Sequence, residues 1–159
     1  MYYGEFQSRL DDKNRITVPT RFRETMNVLG HAIWHMTRGF DGCIFLFHQD
    51  EWRRVCSLID RYPAMGAQAL DFRRMWYSSA AEVRPDPQGR IPVPVALRDM
   101  AGLDKDVVLF GVGDHLEIWD KETWRTFQRS KEAEYKATGS LLLTGEQPRW
   151  GIAEKGVEG

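Results

Sequence analysis

One thirteen-residue phrase occurs twice in the chain. Residues 11–23 read DDKNRITVPTRFR and residues 86–98 read DPQGRIPVPVALR. An offset of seventy-five superimposes them with six identities: Asp11/Asp86, Arg15/Arg90, Ile16/Ile91, Val18/Val93, Pro19/Pro94 and Arg23/Arg98. Such a repeat constrains architecture before any local reading, because each copy is one supersecondary unit that buries its apolar face against the other. The duplication continues farther on, where 40–55 (FDGCIFLFHQDEWRRV) aligns with 112–127 (VGDHLEIWDKETWRTF) at an offset of seventy-two. The change of offset gives the first copy three extra residues, most simply in the loop around Val28–His31. Each half of the 159-residue chain is under eighty residues. Cores of that size are marginal alone, so the two copies are expected to share one.

Within each copy the expected order is turn, strand, short helix, strand pair, longer helix. Glu5 to Arg9 and Ile16 to Val18 read as the arms of a hairpin with its tip at Asp12–Asn14. In the second copy Gly89 stands where Asn14 stands, and both residue types enter positive φ at low cost. Pro19 and Pro94 suit the first turn of short helices at about 19–27 and 94–101. Strands are expected at 32–37, 43–47, 107–110 and 116–119, with Gly39 and Gly111 at turns. Longer helices follow at about 50–61, 68–77 and 121–137, the last capped by Asp120. Trp124, Phe127, Lys131 and Tyr135 recur along it at helical spacing.

Composition narrows the function classes. Content of 42% hydrophobic and 28% charged residues is ordinary for a globular protein, and no apolar run approaches bilayer length. The beginning, MYYGEFQSRLDD, resembles neither a basic flank nor a signal segment, so a cytoplasmic location with reduced Cys43 and Cys56 is expected. His31 and His35 are four apart, but no Glu lies between them as in a zinc protease helix. His48 and His115 are isolated, no Ser, Cys or His has a triad context, and GVGD at 111–114 lacks a strand–turn–helix setting. Neither catalysis nor a metal, cofactor, small-molecule substrate or membrane partner is therefore expected.

The segments LDDKNRITVPTRFR, FDGCIFLF, DPQGRIPVPVALR and GVGDHLEIWDKETW together resemble the MraZ family, bacterial transcriptional regulators with two tandem SpoVT-AbrB modules. The likeness covers about residues 1–135. It implies an α+β fold: a swapped-hairpin β-barrel formed by two AbrB-like modules, with flanking helices. The modules would run over 1–61 and 79–137, with a linker helix at 62–78 and an irregular tail at 138–159. The resemblance further implies a nucleoid-associated homo-oligomeric ring that binds short repeats of double-stranded DNA in the promoter of the division and cell-wall genes.

A net charge of −1 offers no global attraction to DNA, so binding has to come from local clustering. Arg15 and Arg90 are the sharpest candidates, since a guanidinium engages phosphate or the guanine edge in paired geometry. Both arginines have a competing reading as ion-pair partners of Asp11 and Asp86 inside the barrel. Lys13, Arg9, Arg21 and Arg23 surround the first motif, whereas the second has Gln88 and Ala96 at the places of Lys13 and Arg21, keeping Arg84, Arg90 and Arg98. The N-terminal motif is thus expected to dominate, with Pro19 and Pro94 structural. Trp52, Trp119 and Trp124 are expected in packing rather than base stacking. The competing function is an antitoxin-like or scaffold module whose DNA affinity is incidental.

Overall fold

A computed structural model describes residues 1–28, 33–61 and 66–145. The first copy comprises β1 (Glu5–Arg9), β2 (Arg15–Thr17), α1 (Thr20–Val28), β3 (Trp34–Arg38), β4 (Ile44–His48) and α2 (Gln49–Asp60). Helix α3 (Ala67–Ser78) leads into β5 (Ala81–Val83), β6 (Arg90–Pro92), α4 (Val95–Met100), β7 (Asp106–Gly111), β8 (Leu116–Asp120) and α5 (Lys121–Leu143). The fold is α+β, with the six-stranded antiparallel order β1-β7-β8-β4-β3-β5 and a separate β2-β6 ribbon.

The two arms expected to make a hairpin do not pair with each other. β1 runs against β7 and β2 against β6, while β5 pairs with β3. Only the turn between the arms is local. A lone two-stranded hairpin is marginal in water, and crossing over gives each arm a partner from the other copy. Ile16 then sits opposite Ile91, and both are fully buried.

The registers reveal a pseudo-two-fold axis. Ile16 faces Ile91 and Phe45 faces Glu117, each a pair of repeat equivalents meeting on an antiparallel ladder. That is the signature of an isologous contact, here within one chain. The same registers redistribute the three extra residues. Trp34 and Val107 hold equivalent rungs at an offset of seventy-three, but His48 and Asp120 differ by seventy-two. Two of the extra residues therefore precede β3, in a connection that includes 29–32 outside the described residues. The third lengthens the β3–β4 turn, 39–43, relative to the β7–β8 turn, 112–115.

One core serves both copies. Ile16/Ile91, Val18/Val93, Phe22/Leu97 and Met26/Ala101 are buried equivalents in a single cluster that also takes in Trp34, Leu46, Leu109 and Ile118. Strands β3 and β4 are buried on both faces, unlike a half-exposed strand. Their outer face carries an aromatic layer, in which Trp52 stacks on Trp76 at 5.7 Å and on His35 at 5.1 Å. The Thr37 hydroxyl donates to the Trp76 carbonyl at 2.8 Å, tying α3 to β3. On the second copy, Trp124 packs on Phe110 and on the buried Trp119 at 4.2 and 5.1 Å. Gly111 ends β7 rather than making a turn, and a Cβ there would collide with the Tyr2–Tyr3 backbone.

Among the described residues, 1–28, 33–61 and 66–124 form one compact unit and 125–145 another. Asp120 caps α5 through the Thr123 N–H at 3.1 Å. The irregular stretch expected from 138 is helical as far as Leu143. A single interior glycine, Gly139, costs only about 1 kcal/mol, which the remaining helix formers outweigh. The helix instead ends at Leu143, and Gly145 in the turn that follows has a left-handed φ of 77°. Residues 146–159 of the expected tail, and 62–65 of the expected linker, lie outside the described residues. No residue of α5 is buried, and Tyr135 on its apolar stripe is 79% exposed. No helix among the described residues is long and apolar enough to cross a membrane.

Truncating Ile91 to alanine is expected to cost about 2–5 kcal/mol, read as a lower urea midpoint. Because the core is common, fluorescence and circular dichroism should follow one transition in parent and variant alike. Two separable transitions within 1–124 would contradict the shared core.

Candidate nucleic-acid interface

Both motifs are organised by an aspartate. Asp11 Oδ1 accepts the Lys13 and Arg15 backbone N–H groups at 3.0 and 2.8 Å, and its Oδ2 accepts Arg15 Nε at 2.9 Å. Asp86 repeats this with Gln88 N, Arg90 N and Arg90 Nε at 2.9, 2.9 and 2.7 Å. The turns close with Asn14 at φ 56° and Gly89 at φ 77°, the positive values expected of those residue types. Arg15 Nη1 also lies 3.9 Å from Asp86 Oδ2, so the motifs touch across the pseudo-two-fold axis.

Each turn is clasped by the other copy. Val18 N donates to Gly89 O at 2.9 Å, and its equivalent Val93 N donates to Asn14 O at 2.8 Å. Arg23 donates through Nε to Val18 O at 2.9 Å and through Nη2 to Thr20 Oγ1 at 3.0 Å. Its side chain lies over Gly89, where a Cβ would collide with it. Arg98 reaches Asn14 Oδ1 through Nη1 at 2.6 Å. Sequence reasoning assigned Arg98 no role of its own. The spacing from Arg90 to Arg98, identical to that from Arg15 to Arg23, is the pattern that announces it. Pro19 and Pro94 stand one residue before α1 and α4 rather than in their first turns, and their carbonyls accept Arg23 N and Arg98 N.

The remaining cations are distributed unevenly. Lys13 is exposed at the first tip. Arg9 is 76% exposed, with Nε 3.5 Å from Asp106 Oδ1. Arg21 is exposed and lies over the Tyr3 ring at 3.9 Å. The side chains of Arg15 and Arg90 are 26% and 34% exposed, so their ion pairs are partly open to solvent. Arg84 is exposed just beyond β5, the opposite edge of the six-stranded sheet from β1. The first copy thus carries Arg9, Lys13 and Arg15 at the end of β1 and in the turn, whereas Arg21 lies by Tyr3 and Gly4 before the start of β1 and Arg23 is committed to the turn of the second. His35 lies in the aromatic stack, His115 is 2.6 Å from Asp114, and His48 faces the Tyr2 hydroxyl at 3.4 Å. His31 is outside the described residues.

The paired aspartates are acidified by their surroundings. The Arg90 backbone N–H leads in holding the Asp86 carboxyl below the usual carboxylate range, joined by the Arg90 guanidinium. At Asp11, desolvation pushes upward, but the Arg15 and Lys13 donors outweigh it and the net shift is downward. Carboxyl groups depressed in the fold stabilise it above their unfolded value, about pH 4, and that contribution disappears as pH falls through the folded value. Asp86→Asn keeps an acceptor oxygen but has no charge to lose. It is expected to lower Tm at pH 7 and to flatten the fall of Tm between about pH 5 and pH 2. An equally steep fall in variant and parent would refute a stabilising role for this carboxylate.

Comparison with known proteins gives the motif pair a context. Residues 1–74 and 76–142 each match the family described as "MraZ protein, putative antitoxin-like". The Transcriptional regulator MraZ of Syntrophomonas wolfei subsp. wolfei is 40% identical over 143 residues, covering 90% of this chain and 97% of that protein. Its namesake in Micrococcus luteus is 39% identical over 145 residues, covering 91% and 99%. A third, from Natranaerobius thermophilus, is 40% identical over 136 residues, covering 86% and 92%. All three are named for the control of transcription, not for a reaction. With both repeats matched and relatives aligned over nearly their full length, the chain belongs to the MraZ family.

Proposed function

We propose that the protein is a sequence-specific DNA-binding regulator of transcription that grips duplex DNA chiefly through its Asp11–Arg15 turn. The name shared by its relatives supports regulation, and the exposed Lys13 tip between Arg9 and Arg15 is the observation that carries the DNA reading, with Arg21 a further exposed cation beside Tyr3. In this reading Asp11 and Asp86 fix the planes of Arg15 and Arg90 through Nε. Arg15 then engages phosphate or the guanine edge, while Arg90 Nη2 is shared with Gln88 Oε1 at 3.3 Å. Arg90 and Arg84 add weaker contacts from the second copy, and Arg23 adds positive charge while holding the Gly89 turn.

The interleaved ladders and the β2–β6 ribbon are the framework of a swapped-hairpin barrel built from modules 1–61 and 79–137, with 62–78 as the bridge. Several chains assemble as a ring in the nucleoid and engage successive promoter repeats of the division and cell-wall gene cluster. Multiplicity answers the near-neutral net charge, because tethered tips gain affinity through effective concentration. The antitoxin-like alternative draws on the exposed Phe40, Phe72 and Met75, which with Arg38, Gly39 and Trp76 line an apolar groove of about 230 Å³.

Mobility shifts on the protein's own upstream region test the reading. Lys13→Gln is expected to lower the slope of log K against log salt by about 0.9. Arg15→Ala should lose about 1–3 kcal/mol of binding. Duplexes with several repeats should bind far more tightly than one repeat. Unchanged binding in both variants, with the fold intact, would remove the turn from the interface, and equal affinity for one repeat and several would remove the ring.

A further inference from the structure

A cavity of about 310 Å³ opens where β1 meets β7 and the start of α5, lined by Gln7, Ser8, Arg9, Asp106, Val107 and Lys121. Lys121 comes from the second copy and stands beside Arg9 only because β1 pairs with β7. Its Nζ lies 3.5 Å from Gln7 Oε1, which holds the ammonium at the pocket while the Gln7 amide NH2 offers a further donor. The charges here are two cations and one carboxylate, Asp106, which Arg9 already faces at 3.5 Å. Glu5, on the same face of β1, accepts the Trp124 indole N–H at 2.9 Å and so is engaged away from the pocket.

The pseudo-two-fold axis supplies an internal control. The equivalents of Gln7, Arg9 and Lys121 are Glu82, Arg84 and Gln49. The other end of the sheet has therefore gained an acid and lost a cation, and Glu82 lies 3.7 Å from His35 Nε2. The two ends share a backbone plan but differ in charge.

We propose that the Gln7–Arg9–Lys121 pocket binds a phosphate oxyanion of the DNA backbone, extending the contact surface from the first turn along β1 onto α5. The proposal rests on the DNA reading above and adds Lys121 and Gln7 as contacts. A lysine ammonium serves here as a point charge on phosphate, carrying no base preference.

The salt dependence of duplex binding tests it with Lys121→Gln, Lys121→Arg and Lys131→Gln, the last an exposed cation elsewhere on α5. Lys121→Gln is expected to lower the slope of log K against log salt by about 0.9, with Lys121→Arg and Lys131→Gln near the parent value. An unchanged slope in Lys121→Gln, alongside a reduced one in Lys13→Gln, overturns the pocket and leaves the DNA reading standing. If neither variant lowers the slope, the DNA reading fails and the pocket with it. A second arm titrates inorganic phosphate into the free protein and follows the Gln7 and Lys121 resonances. Shifts there that Lys121→Gln abolishes, with no change in the duplex slope, would identify a small-ion site and overturn the proposal.

Discussion

Two reciprocal backbone bonds, Val18 N to Gly89 O and Val93 N to Asn14 O, hold this protein together in a way that no contact within either copy does. Each copy contributes a turn shaped by its own aspartate, and each turn is then closed by the other copy. Neither half has a complete sheet: β1 needs β7, β5 needs β3, and β2 and β6 have only each other. A half-chain would face water with unpaired strands and with Ile16 or Ile91 uncovered. Interleaving solves the problem of a unit too small for its own core by making one core from two incomplete ones.

The same arrangement lets the copies diverge at their tips. Asp, Arg, Ile, Val and Pro of the motif recur because they build the turn, the ribbon and the start of the helix. The tip residue enters the turn through its backbone N–H, which the aspartate accepts in both copies, so Lys13 and Gln88 leave that geometry alike, although the Gln88 side chain also accepts Arg90 Nη2 at 3.3 Å. The outer faces of the sheet diverge too: α2 and α3 cover β3 and β4 through Trp52 and Trp76, whereas Trp124 covers the second copy. A duplicated scaffold thus carries an unequal distribution of charge and apolar surface, and this inequality gives an otherwise symmetric body a direction.

Much of the local structure was legible. Asn14 and Gly89 announced positive φ, Asp120 announced a cap, and the order of strands and helices followed from periodicity and prolines. The motif arginines were recognisable as guanidinium groups beside an aspartate, although spacing left open whether they serve the fold or a ligand. The illegible parts share a cause. The arms of 5–18 look like a hairpin because a tight turn joins them, yet their ladder partners lie on the other copy. The third extra residue hid in the β3–β4 turn because alignment sees offsets, not rungs. Helix α5 outran its expected end because Gly139 is only a modest penalty against a long run of helix formers.

What the sequence determined by itself was everything bonded within a few residues: two Asp-centred turns, the short helices, the repeat that demands a partner, and a cation at one tip but not the other. Only the tertiary structure decided which strand meets which, that Arg23 and Arg98 cross to the opposite turn, and that Lys121 comes to rest near Arg9. Turn and helix chemistry works through bonds between near neighbours, which a linear reading sees. Ladder pairing is selected by burying apolar residues of one copy against those of the other across some seventy positions of chain, and no local pattern encodes that choice.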